Sequence, residues 1–187
     1  LDGLNPRQQK IFITIQSAMP VVLATPHLVA KERAVVGRYL SKIGDPRAAL
    51  TNVDAMRFCH VPAGSFFMGQ GEHDENTFRI LPETPAGEYD LNYDYWIAQY
   101  LVTVAQFKAY IDDIGVDFGN ADALKSSSNA PVVTVSQKEA LAFCDWLTVR
   151  WRKAGWLSDN WRVSLPNEPE WEKAARGGLK IPGLPTI

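Results

Sequence analysis

Three helix starts are written into this chain in the same local code. Thr103 is followed three residues later by Gln106, Ser136 by Glu139, and Asn167 by Glu170. In each pair the first side chain accepts from the backbone N–H of the second residue, and the second side chain reaches back to the N–H of the first. Two otherwise orphaned donors are satisfied at once. Apolar residues at helical spacing follow: Phe107, Tyr110, Ile111 and Ile114 before Gly115, then Ala140, Phe143, Cys144 and Leu147. Both sets predict stripes that face a core. Pro169 falls in the first turn of the third helix, where a missing N–H costs little. Trp171, Ala174 and Ala175 are expected on the inward face of that helix.

The remaining chain has to fit around these helices. Residues 1 to about 50 read as a helical lead-in. Thr25 with Pro26 offers a cap and a first-turn proline. Leu28, Val35, Tyr39, Leu40 and Ile43 are expected to share one face, and Gly44 stands where a helix ends. From Arg57 the pattern becomes short strands. Arg57–Val61, the turn Pro62-Ala63-Gly64 and Ser65–Met68 predict a β-hairpin. Gly69 to Gly87 is a polar loop, Tyr93 to Tyr100 an aromatic strand, and Val116 to Pro131 a Ser/Asn/Asp/Gly-rich loop. The expected class is α+β with long irregular connections, divided as a lead-in over 1–50 and a domain over 51–187.

Bulk properties exclude several functions. Nineteen Lys and Arg against 21 Asp and Glu leave a net charge of -2, with no electrostatic footprint for nucleic acid or an anionic membrane. The apolar run Ile11–Ala24 is broken by Thr14, Gln16, Ser17 and Pro20 and falls short of the roughly 20 residues of a membrane span. It lacks the layout of a signal peptide. Two cysteines make neither a disulfide framework nor a metal cluster, so the expected compartment is cytoplasmic.

Candidate chemistry is sparse. Cys144 lies on an apolar stripe and Cys59 beside Phe58 in a strand, and both are expected to be core thiols. His60 sits in the first strand, and His73 lies in the acidic stretch Glu72-His-Asp-Glu75, which is expected to be solvated rather than to hold an ion. His27 is expected on the surface. No nucleophile relay and no phosphate loop can be assembled. Of Trp96, Trp146, Trp151, Trp156, Trp161 and Trp171, most are expected to fill a core poor in regular structure. Trp151 and Trp156, flanked by Arg150, Arg152 and Lys153, are the candidates for an exposed contact surface. Arg176 is expected to anchor carboxylates or carbonyls. No catalytic residue and no metal ligand is assigned, and the ligand-binding residues are unknown.

Six segments stand in a familiar order: Val61-Pro-Ala-Gly-Ser-Phe-Phe-Met-Gly69, Glu83-Thr-Pro85, Tyr95-Trp-Ile-Ala-Gln-Tyr-Leu-Val-Thr103, Pro131-Val-Val-Thr-Val-Ser136, Ala142-Phe-Cys-Asp-Trp146 and Leu165-Pro-Asn-Glu-Pro-Glu-Trp-Glu-Lys-Ala-Ala-Arg-Gly-Gly178. Together they resemble the formylglycine-generating enzyme, or sulfatase-modifying factor, family over residues 57 to 178. The stretch Glu32–Arg47 resembles the helical lead-in of such domains in larger bacterial proteins.

The resemblance implies a variant of the C-type lectin fold. For the parent protein it implies an oxidase that converts a sulfatase cysteine to formylglycine with oxygen and a copper ion held by a cysteine pair. It also places that pair in a C-terminal half beyond Ile187, so this chain is expected to be the N-terminal part, with no cofactor and no oxidase activity of its own. The missing half is the expected partner, and residues 1–187 alone are expected to expose apolar surface. Val104 stands where many members have Asn, and Ala175 where animal members have a second structural cysteine. The alternative is a non-catalytic module of a bacterial multidomain protein that binds a ligand, a protein or a peptide. A third branch, the iron-dependent sulfoxide synthases, needs a histidine-rich helical domain that three histidines do not supply.

Overall fold

The computed structural model describes residues 3–69, 87–115 and 121–178. The architecture is α+β: helices with two small antiparallel sheets. In chain order the elements are α1 (Pro6–Leu23), α2 (Ala30–Ile43), α3 (Ala48–Thr51), β1 (Phe58–Val61), β2 (Gly64–Met68), β3 (Gly87–Leu91), β4 (Tyr95–Ala98), α4 (Val104–Ile114), α5 (Gln137–Lys153) and α6 (Glu168–Arg176). Single 3₁₀ turns lie at Val53–Ala55 and Ala121–Leu124. The chain divides into two compact units. One holds Leu1–Arg57 and Tyr100–Ser164, the other Phe58–Gln99 and Leu165–Thr186.

The first unit is helical, and its capping pairs form as the sequence predicts. The N–H of Thr103 donates to Gln106 Oε1 at 3.0 Å, and that of Ser136 to Glu139 Oε2 at 2.7 Å. Gly115 closes α4 with φ 64°, a left-handed conformation that glycine adopts without a Cβ clash. The pair at Thr103 also does something local pattern does not reveal. Thr103 Oγ1 donates to the carbonyl of Leu50 at 2.7 Å and Gln106 Nε2 to that of Ala49 at 2.9 Å. The cap therefore bolts α3 onto α4, and both polar side chains are almost wholly buried.

Between α4 and α5 lies the core of this unit: Val53, Phe107, Tyr110, Phe143, Cys144 and Leu147. Phe107 stacks on Phe143 at 5.7 Å, and Tyr110 meets the same ring edge-on at 5.7 Å. Trp146 and Trp151 pack against the cluster, half-buried. Ile114, expected in the stripe of α4, lies exposed at the last turn.

The lead-in departs from expectation at its second helix. α2 starts at Ala30 rather than after Thr25. Its first turn is stabilised by Glu32, whose carboxylate accepts from the N–H of Val29, and Arg33 ties down the preceding turn through the carbonyls of Leu28 and Thr25. Leu40 and Ile43 turn inward, but Val35 and Tyr39 are exposed, because α1 and the rest of the unit cover a different side of α2. Gly44 ends the helix with φ 85°, as predicted. α1 has a capping pair of its own, Asn5 with Gln8, and Pro6 at its first position. Behind α2, the Asp45 carboxylate accepts from Arg47 Nε at 2.9 Å and Asn129 Nδ2 at 2.8 Å. Asn129 also donates to the carbonyl of Gly37, joining the lead-in to a distant loop.

The second unit is a two-stranded ribbon with one helix. The expected hairpin between 57–61 and 65–68 does not form. β1 pairs antiparallel with β4, Val61 facing Tyr95, and β2 pairs antiparallel with β3, Gly64 facing Leu91. Pro62-Ala63-Gly64 is a break in one long strand rather than a reversal. There the two residues Pro62 and Ala63 oppose the three residues Asn92–Asp94, a bulge that shifts the register by one. β3 is absent from the sequence-based expectation, which ends the polar loop at Gly87 and assigns no element before Tyr93.

α6 lies on β2. Lys173 Nζ donates to the carbonyl of Gly64 at 2.7 Å, the N–H of Gly69 donates to Glu172 Oε1 at 2.8 Å, and Arg176 donates to the carbonyl of Gly69 at 2.7 Å. Both ends of β2 thus find partners on the helix rather than in a third strand, as buried backbone groups require. Phe66 and Leu91 are buried beneath.

Candidate functional site

The side chains with chemical potential fall into four groups. The thiols come first. Cys144 is buried on α5 among Phe143 and Leu147, and burial, with the nearby Asp145 carboxylate, pushes its thiol up to about 11. That favours an inert thiol over a thiolate, as the sequence predicts. Cys59 corrects its expectation: it is exposed on β1. Successive residues of a strand point to opposite faces, and the two-stranded ribbon carries Cys59 on a face that is not covered at that position.

On the second unit, His60 and Trp96 face each other across β1 and β4, ring centroids 4.9 Å apart. Asp94 lies at the bulge. Its carboxylate accepts from the N–H of Ala63 at 2.6 Å and stands 3.3 Å from His60 Nε2. The backbone bond from Ala63 and then the contact with His60 hold the Asp94 carboxyl below its ordinary range. Trp96 is exposed beside them. The group is anchored but lies on an open surface.

On the first unit, Arg150 forks onto Asp54, with Nε to Oδ1 at 2.7 Å, and Trp151 Nε1 reaches the same oxygen at 3.3 Å. Trp146 Nε1 donates to Asp113 at 2.6 Å, and the Arg150 guanidinium lies over the Trp146 ring. Asn52, Asp112, Asp113 and Arg150 help to line an open concavity of about 420 Å³. Its charges are matched by neighbours, which is the signature of structural pairing.

The fourth group surrounds α6. Asn167 caps the helix, its Oδ1 accepting from the N–H of Glu170 at 2.9 Å, and Glu170 in turn accepts from Tyr93 Oη at 3.1 Å. Tyr95 donates to the carbonyl of Glu170 at 2.5 Å; burial first, and then the Glu170 and Tyr93 charges, push its phenol up to about 12. The most buried residues of α6 are the polar Glu172 and Lys173, with Pro169, Ala174 and Arg176 half-buried beside them. Trp171, expected inward, therefore points out and is 61% exposed. With Pro166, Glu168 and Ala175 it lines a shallow concavity of about 380 Å³.

The other predicted positions fall as follows. Arg176 anchors the Gly69 carbonyl and ion-pairs with Glu172 at 3.0 Å, as expected. Trp156 is exposed and Trp151 half-buried, so the predicted contact pair divides. Trp96, Trp156, Trp161 and Trp171 are all exposed, which corrects the expectation that most tryptophans fill the core. His27 is on the surface. His73 and Glu72–Glu75 lie outside the described residues. Val104 is buried at the start of α4, and Ala175 is exposed beside Trp171. Among the described residues no helix is long and apolar enough to cross a membrane.

Comparison with known proteins adds one match. A family model described as the sulfatase-modifying factor enzyme 1-like domain covers residues 45–182. No curated protein matches the chain.

Proposed function

This chain belongs to the sulfatase-modifying factor enzyme 1-like domain family, and we propose that it serves polypeptide recognition rather than redox chemistry on its own thiols. In this reading residues 51–187 are the N-terminal part of a variant C-type lectin fold, carried behind a helical lead-in over 1–50. One observation carries it: Trp171 is held outward on α6, a helix whose cap and whose polar contacts with β2 leave it little freedom. A large indole presented on a fixed element is the usual anchor of a protein contact. The Glu168 carboxylate at the rim suits a partner that offers an apolar side chain next to a cation.

Copper, which the resemblance implies for an oxidase, does not fit the thiols present. Such a site needs two thiolates converging on one ion. Cys144 is buried with its thiol pushed up to about 11, and Cys59 is exposed on β1 in the other unit. Any formylglycine-forming step in a longer parent protein would draw on cysteines outside this sequence.

The test uses a cysteine-containing sulfatase peptide. It is expected to bind the protein and to keep its cysteine mass unchanged in the presence of oxygen, copper and a reductant. Trp171→Ala is expected to weaken binding roughly tenfold or more, as loss of an aromatic anchor does. Formation of formylglycine would overturn the non-redox reading. Absence of binding, or equal binding by the variant, would overturn the recognition surface.

A further inference from the structure

The chain loops back along α5 over residues 152–162, and this loop is fixed at several points. Arg152 Nη2 donates to the carbonyls of Asp159 at 2.8 Å and Trp161 at 2.7 Å. The N–H of Trp156 donates to the carbonyl of Trp151 at 2.9 Å, and beyond the loop the N–H of Val163 donates to Thr148 Oγ1 at 2.9 Å. On this frame Trp156 is 62% exposed and Trp161 39%. The two tryptophans that precede them use their indole N–H groups within the unit, Trp146 toward Asp113 and Trp151 toward Asp54. Among the described residues neither Trp156 nor Trp161 has such a partner. An indole held at the surface with its polar edge unused is suited to a contact that covers the ring and accepts from the N–H.

We propose that this loop docks a short acidic polypeptide segment, at a surface separate from that of Trp171. Charge selects the occupant. Arg150, Arg152, Lys153 and Arg162 face the single carboxylate of Asp159 within residues 150–162, in a chain whose net charge is -2. Arg150 is taken by Asp54, which leaves three cations, all exposed. Lys153 and Arg162 make no ion pair among the described residues. Val149, one turn before Lys153 on α5 and 66% exposed, adds apolar surface beside them. Indoles and cations together fit a segment in which apolar side chains stand next to Asp or Glu, the rings covering the former and the cations meeting the latter. A short segment meets only the charges within a Debye length of about 10 Å. A nucleic acid or an anionic bilayer presents its charge over a far wider area and meets the rest of a net negative molecule.

The test is selection of a displayed library of random linear peptides on the whole chain, with the Trp156→Ala protein as counter-selection. Selected peptides are expected to be rich in Asp and Glu beside Leu or Phe. A synthetic copy of one is expected to bind Trp156→Ala roughly tenfold or more weakly, to bind the double variant Lys153→Gln, Arg162→Gln more weakly as well, and to bind Trp171→Ala as tightly as the parent. Its affinity is expected to fall as salt rises. The substituted side chains are exposed, so the melting temperatures of these variants are expected to match the parent's. No enrichment, selected peptides without acidic residues, or equal binding by Trp156→Ala would overturn the proposal. So would a preference of this loop for a single-stranded oligonucleotide or for anionic phospholipid vesicles, lost in the same variants.

Discussion

Cys59 and Cys144 carry the same thiol in opposite surroundings, and a thiol reagent will separate them. Cys59 is expected to react within the ordinary time for an exposed cysteine, while Cys144, buried and pushed up to about 11, stays unmodified until the unit opens. Mass spectrometry after mild alkylation should find one adduct, lost in Cys59→Ser. Two rapid adducts would show that α5 does not hold Cys144 in its core. Both residues read as core thiols from sequence. The neighbours of Cys144 on its own helix made that reading sound, since α5 is amphipathic along its length. Cys59 had one aromatic neighbour and a strand whose cover was unknown, and a strand face is decided by what lies across it. Trp171 teaches the same lesson from the other side. Large aromatic rings are commonly buried, yet here Lys173, two positions on, makes the buried contact instead, and the indole faces out.

At the scale of elements, α6 is tied to β2 by polar contacts as well as by the burial of Phe66, so their stability should respond to polar substitutions. Asn167→Ala removes the acceptor for the Glu170 N–H and is expected to cost about 1 kcal/mol. Lys173→Met removes the buried ammonium's hydrogen bond to the half-buried carbonyl of Gly64 and is expected to cost about 1–3 kcal/mol. Denaturant unfolding of the two variants checks the order, and equal midpoints would contradict the weight given to Lys173. The starts of α4, α5 and α6 were legible beforehand because a capping pair is a contract between residues three apart. Strand pairing was not legible, because β1 finds β4 more than thirty residues away and β2 finds β3 well beyond its own neighbourhood in the chain. The turn-forming residues Pro62 to Gly64 fit a reversal or a break equally well. What decided between them was the partner strand, and the extra residue at Asn92–Asp94 absorbs the mismatch.

For the whole molecule, titration should set both limits of stability. Burial alone would raise the Asp45 carboxyl, but hydrogen bonds from Arg47 and Asn129 outweigh it and leave it lowered; Asp54 is lowered by its hydrogen bond to Arg150 despite some desolvation. A carboxyl with a depressed folded pKa contributes stability that is complete above its unfolded value and is lost as pH falls through the folded one. Melting temperature is therefore expected to hold near neutrality and to fall below about pH 4, with the fall reduced in Asp45→Asn. Tyr95 acts at the other limit. Its phenol, pushed up to about 12, favours the folded state fully below its ordinary value of 10.0 and loses that contribution as pH rises through the folded value. Tyr95→Phe is expected to flatten the alkaline decline, which a melt series between pH 9 and 12 would show. An unchanged alkaline limb would count against the Tyr95–Glu170 contact.

By itself the sequence determined the α+β class, the starts of α4, α5 and α6, the glycine ends at Gly44 and Gly115, the apolar seam between α4 and α5, and the family. All of these rest on residues within a turn or two of one another, or on the order of short motifs, and neither needs knowledge of what packs where. Only the tertiary structure decided that β1 and β2 are two parts of one strand run, that Thr103 and Gln106 bolt α3 to α4, and that α6 turns its charged face in and Trp171 out. Those outcomes depend on which backbone groups elsewhere lack partners. A lysine goes inward where its ammonium reaches the carbonyl of Gly64, and the indole takes the side that remains.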